Sequence, residues 1–491
     1  MSFAHISMSA NIEDWRTASA PAHYIVFGRE KMRRPHGCQT GVILAVAVFA
    51  CVIVIMLWSF AAPEEPDARA SANQLPESPH TAFFTDIPPE PYAIPKVTEL
   101  DLPVRSGYRA IWGGTGRDDR GHIWLGLCAE PQAGASACLI EYDPEKSKSF
   151  LRGDVLSALA RHRSLVPAEA QAKIHTKIIQ ASDGNLYFAS LDETGGDFDG
   201  GTRSPKWGSH LWRVKLPGYK WEHLFSAEEG LIAVAGGGWT IYALGFFGHK
   251  LYRYNIKTEE VKSVEVGSVG GHISRNIVSD FRNHVYVPRI KRGMLSPECK
   301  VSIVECDTNL QEIGETPIKN YLYEDQDPAE SHGLTAFQPM VDGSIIVVTA
   351  PGYMYRIYPG NAKAAQVEEI GWLHPEGERY VASLFTYGGK RYVMGLAKGS
   401  KNTHEGEPYQ WVIRDLSVGV AITLPFEIHS DSAPALGGCL LYGSVTRDNS
   451  GDFYVVGSYW DKGRPIALRV HCPPLHRDSG PHEQTESKRS Q

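Results

Sequence analysis

Nowhere in the 491 residues does Gly-x-Ser-x-Gly, Gly-x-x-x-x-Gly-Lys-Ser/Thr or His-Glu-x-x-His occur. Serine-hydrolase, P-loop and zincin chemistry therefore have no motif to stand on. Cysteine is scarce, with eight residues, and no two form Cys-x-x-Cys. That leaves no zinc ribbon and no thioredoxin-type site. A basic excess is also lacking, since 49 Lys and Arg face 56 Asp and Glu for a net charge of -7. The chain has no electrostatic footprint for nucleic acid.

Long apolar runs are rare, and the exception is informative. Residues 41–62 hold no charged side chain. A helix of that length crosses the ~30 Å hydrocarbon core. Arg29, Lys31, Arg33 and Arg34 precede the run, and Glu64, Glu65 and Asp67 follow it. By the positive-inside rule, residues 1–40 form a cytoplasmic basic segment and 41–62 a single transmembrane signal anchor. Everything after it is then extracytoplasmic. The alternative is a start at Met32, with 41–62 as the apolar part of a cleaved signal and a secreted product. Residues 63–92, rich in Pro, Ala, Glu and Ser, read as a linker.

What is present beyond the linker is repetition. An Asp-Gly turn runs into alternating apolar residues at Asp183-Gly-Asn-Leu-Tyr-Phe188, the signature of a tight turn entering a strand. Related turns precede Trp124, Tyr242, Tyr286, Val347, Tyr392 and Tyr454. The spacing averages about 55 residues, a propeller period. A second alternating strand follows each copy, as in Leu211-Trp-Arg-Val214 and Leu251-Tyr-Arg-Tyr254. The unit amounts to four short antiparallel strands, one blade, which must stack with neighbours to bury both faces. The fold class is all-β: a seven-bladed propeller over 93–472, preceded by one transmembrane helix. Residues 473–491 are polar and aperiodic, and read as a disordered tail.

Three local features follow from the same reading. The last repeat lacks an outer strand after Val470, so 96–102 is expected to supply it and close the ring. Val155, Leu156, Leu159 and Ala160 have helical spacing behind Asp154 as N-cap, and 167–173 could add a further turn. Cys128 and Cys138 flank one turn, a geometry suited to a disulfide in an oxidising compartment.

Candidate chemistry rests on histidine. His175 and His272 stand eight residues before turn aspartates Asp183 and Asp280, and His332 stands ten before Asp342. His429 precedes the innermost strand of the last blade. Innermost strands line the channel, so these four could converge as a ring able to hold a divalent metal or to act as acid and base. The bland alternative is four separate polar residues with backbone or water partners. Arg109 and Arg379 hold comparable places in blades one and six. A second candidate is the stretch 192–201, whose alternating carboxylates and glycines could offer oxygen ligands to Ca²⁺. His210 opens the strand after that stretch and could face the same rim.

The blade unit, seen in His175-Thr-Lys-Ile-Ile-Gln-Ala-Ser-Asp-Gly-Asn-Leu-Tyr-Phe188 with His210-Leu-Trp-Arg-Val214, resembles the superfamily of virginiamycin B lyase, gluconolactonase-type and YVTN-type propellers. The resemblance spans 93–472. It implies the fold, while the superfamily's activities include lyases, metal-dependent lactonases and binding proteins. Its lyase branch places a histidine and a divalent metal at the channel mouth, and His272 and His332 are the nearest matches, hence the candidate catalytic residues. The expected function is ligand binding on one face of the ring by a membrane-anchored propeller. The ligand would be a small molecule, a glycan or another cell-envelope component, contacted by Arg109, His210 and Arg379. The rival is a metal-assisted lyase or hydrolase using His175, His272, His332 and His429.

Overall fold

The computed structural model describes residues 94–103, 106–193, 205–292, 299–324, 326–328, 331–361, 363–387, 391–399, 408–428, 439–459 and 463–471. The expected anchor, its flanks, the linker and the tail lie outside these residues. Among the described residues no helix is long and apolar enough to cross a membrane.

Seven antiparallel sheets follow one another along the chain, each a blade. They cover 108–154, 179–227, 230–265, 278–318, 334–372, 381–425 and 439–471. The second strand of a blade is its most buried. In Ile123–Ala129, Leu186–Leu191 and Phe453–Tyr459 every residue is buried, because both faces meet a neighbouring blade. Alternation weakens there and returns on outer strands such as Glu312–Ile318. Hydrophobic clusters bridge adjacent blades. Ile123, Leu125 and Leu127 of blade one, for example, pack with Tyr454, Val456 and Ala467 of blade seven.

The ring closes as expected. Lys96–Glu99 pairs antiparallel with the last strand, Lys96 opposite His471 and Glu99 opposite Leu468. The Leu100 amide donates to the Ala467 carbonyl at 2.8 Å. The blade completed by the two chain ends thus has four strands, like its neighbours.

Two smaller expectations separate. The helix forms over Val155–Ala160, with the Asp154 side chain accepting from the Ser157 amide, as an N-cap should. No further helical turn forms over 167–173. Gln171 and Lys173 instead make isolated bridges to Ser136 and Leu191. Nor are Cys128 and Cys138 joined. Cys138 lies opposite Leu127, so strand parity turns Cys128 to the other face of the sheet. There its sulfur sits near the Ile174 carbonyl.

In an antiparallel meander the connections alternate between two ends. On one face, turns such as 118–122, 181–185 and 256–260 link strands through three to seven residues. The other face carries the longer connections, among them 130–137, 155–178, 192–208 and 319–333. Loops held on a rigid scaffold are where binding residues concentrate, which favours the long-connection face.

Candidate functional site

The expected histidines occupy separate environments. His175 is buried, with Nδ1 3.0 Å from the Ile232 carbonyl. His272 is fully buried, with Nδ1 2.7 Å from Ser268 Oγ and Nε2 2.8 Å from the Tyr321 hydroxyl. It stacks on His249 with ring centroids 4.3 Å apart. Burial holds the His272 imidazole far below its usual range. His332 Nε2 lies 3.2 Å from an Arg275 nitrogen. Among the described residues, His175, His272 and His332 do not form a group with ligand atoms within metal-binding reach of one another. His429 lies outside the described residues. So does most of the acidic stretch 192–201. Of its described members, Asp192 accepts from the Trp207 amide and Glu193 enters the network below.

The other two expected ligand residues also part ways. Arg379 is spent locally, on Glu376 at 2.5 Å and on the Glu378 and Gly399 carbonyls. His210 stands on the third strand of blade two, opposite Ser226 of the fourth, with Nδ1 3.0 Å from His223 Nε2.

Arg109 is where the long-connection face gathers charge. Its guanidinium meets Glu193 at 2.6 Å, and Lys173 Nζ meets the other oxygen of the same carboxylate at 2.6 Å. Both cations also lie over the indole of Trp112, at 5.6 and 5.4 Å. Trp112 meets Tyr442 edge-on at 4.5 Å, and the Arg275 guanidinium covers the Tyr442 ring at 4.8 Å. His332 then links Arg275 to Tyr380. These residues come from blades one, two, four and seven and from the connections flanking blade five. Blades four and seven are not neighbours, so the Arg275–Tyr442 contact crosses the axis. The network therefore closes the channel mouth.

The channel below is narrow. A Cβ on Gly443 would sit 2.0 Å from the Thr335 carbonyl oxygen and 2.7 Å from that of Ala382, so glycine alone lets blades five, six and seven approach. Lys177 of blade two reaches across to the Phe337 ring of blade five at 5.2 Å. Lys177 is half-buried, and desolvation brings its ammonium down to about 7.

At the mouth, Trp112 Nε1 and Arg109 Nε find no hydrogen-bond partner among the described residues. Buried donors of this kind cost roughly 1–3 kcal/mol each unless something accepts from them. Three cations, one carboxylate and three aromatic rings are thus set on one axis, with hydrogen-bonding capacity to spare. The arrangement suits an anion attached to a ring that can stack. Inner-strand register shifts help aim the site. One lies between Tyr108 and Ala110, at Arg109, and similar shifts mark blades three, five, six and seven.

Among the described residues, two other groups are close enough to hold a metal: Asp118, His122 and Glu141, and Asp280, His284 and Glu305. Both are equivalent turns of blades one and four, and in both an arginine already sits between the carboxylates. Arg120 contacts Asp118 at 2.5 Å and Glu141 at 2.6 Å. Arg282 contacts Asp280 and Glu305, each at 2.7 Å. The third strands of the other blades explain this. Opposite Trp124 and Tyr286 stand Glu141 and Glu305, whereas Tyr187, Tyr242, Ile346, Val393 and Tyr454 face Arg213, Arg253, Arg356, Arg414 and Arg469. Where the strand supplies glutamate, the turn supplies arginine. These are charge-reversed turn clamps, and a metal would have to displace a paired guanidinium. A groove of about 360 Å³ between the turns of blades seven and one is lined by such clamp residues, including Arg120, Asp448 and Arg469. It lies on the short-turn face, and its arginines are already paired with carboxylates.

No known protein family and no curated relative matches the chain. Solved structures resemble it in fold. The β-propeller domain of the Trilobed protease from Pyrococcus furiosus is 11% identical over 76% of this chain and 98% of its own, with a TM-score of 0.39. The structure of YCF48 bound to D1 peptide is 11% identical over 78% and 97%, with a TM-score of 0.44. The extracellular domain of the putative one component system BT4673 from B. thetaiotaomicron is 13% identical over 76% of this chain, with a TM-score of 0.44. The chain spans 39% of that last structure. At this distance the likeness concerns architecture alone: the chain is a seven-bladed β-propeller with four-stranded antiparallel blades.

Proposed function

We propose that the chain is a membrane-anchored, extracytoplasmic propeller that binds an acidic glycan or similar cell-envelope component at the channel mouth of its long-connection face. The observation that carries this reading is the axial network of Arg109, Lys173 and Arg275 with Trp112 and Tyr442. Guanidinium groups pair with carboxylates in a planar, bidentate manner. Aromatic rings beside them offer stacking surfaces to the apolar face of a sugar. Glu193 holds Arg109 and Lys173 in place and offsets part of their charge.

The test is equilibrium binding of a galacturonate oligomer, with a neutral glucose oligomer as comparison. The acidic oligomer should bind and the neutral one should not. Arg109→Ala and Trp112→Ala should each weaken binding at least tenfold, about 1.4 kcal/mol. Equal binding of both oligomers, or wild-type affinity in both variants, would remove the proposal. A metal-assisted lyase or hydrolase would need His175, His272 and His332 to converge, and their partners differ.

The anchor rests on the uncharged run 41–62 and the basic residues before it. A protease added to cells with any outer barrier permeabilised should cleave within 63–491. Protection of the propeller in that assay would reverse the orientation.

A further inference from the structure

We propose that His210, His223 and Ser226, on the outer half of blade two, form a binding site for one first-row divalent transition-metal ion. His210 Nδ1 and His223 Nε2 are 3.0 Å apart. Ser226 Oγ is 3.1 Å from the first and 3.3 Å from the second. Three mutual contacts cannot all be good hydrogen bonds. The His210 Nδ1–H and the Ser226 hydroxyl can each point straight at only one partner. Three donor atoms converging on one point, however, describe half of a metal's coordination shell. With metal–nitrogen distances of ~2.0–2.1 Å, neighbouring ligand atoms stand about 2.9 Å apart in an octahedron and about 3.3 Å apart in a tetrahedron. The observed triangle falls in that interval.

The local fold was bent to make this triangle. His210 lies directly opposite Ser226 in the strand pair, but His223 is three residues from Ser226 and should face the other side of the sheet. A register shift between His223 and Phe225 absorbs one residue and returns the imidazole to the same face. His210 is buried, whereas Ser226 is exposed, so the triangle opens to solvent on one side.

The surroundings complete the picture. His162, from the segment after the helix, accepts from the His223 amide at 3.3 Å, with its ring centred 6.0 Å from that of His223. Trp212 forms the floor, 5.9 Å from the His210 ring and 5.2 Å from the His223 ring. Arg163 and Glu169 lie nearby as an ion pair and largely cancel one another. Two imidazoles and a hydroxyl, with water in the open positions, suit Zn²⁺, Co²⁺ or Cu²⁺ rather than Ca²⁺ or Mg²⁺.

The experiment titrates Co²⁺ into the full chain, stripped with a chelator and carrying no polyhistidine tag. Visible absorption and tryptophan emission report binding, the latter because Trp212 touches both imidazoles. One Co²⁺ per chain is expected, competed away by Zn²⁺. His210→Ala and His223→Ala should each weaken it at least tenfold, Ser226→Ala by less, and His122→Ala with His284→Ala not at all. Melting curves identify any variant that fails to fold, and His223→Asn, which keeps a polar group, serves in place of an unstable alanine. No uptake by the wild type, unchanged uptake in a folded His210→Ala or His223→Asn variant, or loss through the His122 and His284 variants would each overturn the site.

Discussion

Taking the protein from pH 7 to pH 5 is expected to cost about 4 kcal/mol of folding stability through two imidazoles alone. His210 and His272 are both buried and both lowered by desolvation, His210 to about 3 and His272 well below its usual value. In the unfolded chain each titrates near 6.5. Between those values the unfolded state binds a proton that the folded state refuses. Stability is then full above about pH 6.5 and is lost as pH falls toward the folded-state values. The limiting slope for two protons is about 2.7 kcal/mol per pH unit. Native domains are stable by only about 5–15 kcal/mol, so the loss is a large share of the whole. Carboxylates held down by partners, such as Asp415 beside Arg391, act only at lower pH. Urea midpoints at pH 7, 6 and 5 check the expectation. His272→Gln should cost stability at pH 7 but reduce the slope by about 1.4 kcal/mol per pH unit. A flat profile from pH 7 to 5 would mean that these imidazoles are not buried neutral.

The largest single effect is expected at the ring closure. Val97 is fully buried in one cluster with Leu441, Val455 and Leu468 of blade seven and with Phe426, just after blade six. Glu99 pairs with Arg464 at 2.5 Å and accepts from the Tyr459 hydroxyl at 3.1 Å. Removing 94–100 exposes the edge of the last strand, whose Leu468 and Val470 are otherwise fully buried. It also removes four paired positions of the ladder. Val97→Asp tests the same contact without shortening the chain. A carboxylate with no partner inside that cluster should cost about 4 kcal/mol or more. The deletion should cost at least as much and should broaden the unfolding transition, since an open ring has two free edges. Unfolding within about 1 kcal/mol of the parent for both proteins would contradict closure by this strand.

The blades were legible because their signal is local. Each Asp-Gly-type turn and the alternation after it lie within about ten residues, and the closure followed from counting strands. In blades five and six the residues facing the arginine are Ile346 and Val393, each one position from Val347 and Tyr392. Of the site, Arg109 and His332 were legible from their places before the turns, but the rest was not, because it is made by distance in sequence. Trp112 and Tyr442 stand six residues before Asp118 and Asp448, but Lys173 and Arg275 stand ten and five before Asp183 and Asp280, and only the closed ring brings the four to one axis. Counting back to histidines failed for a related reason. The inner strands of blades two and four are only Ile179–Gln180 and Val278–Ser279, so the residues before them follow no strand register. One signal was present in the sequence: Asp118-x-Arg120 and Asp280-x-Arg282 occur in the two repeats whose third strand carries glutamate rather than arginine.

The central claim is that the axial mouth of the long-connection face binds an anionic, ring-bearing ligand. A crystal structure of the chain with a galacturonate oligomer tests it most directly. The account predicts a carboxylate within hydrogen-bonding distance of Arg109 or Arg275 and a sugar ring against Trp112 or Tyr442. An oligomer bound instead in the groove between blades seven and one, beside Arg120 and Arg469, with the mouth unchanged, would contradict it.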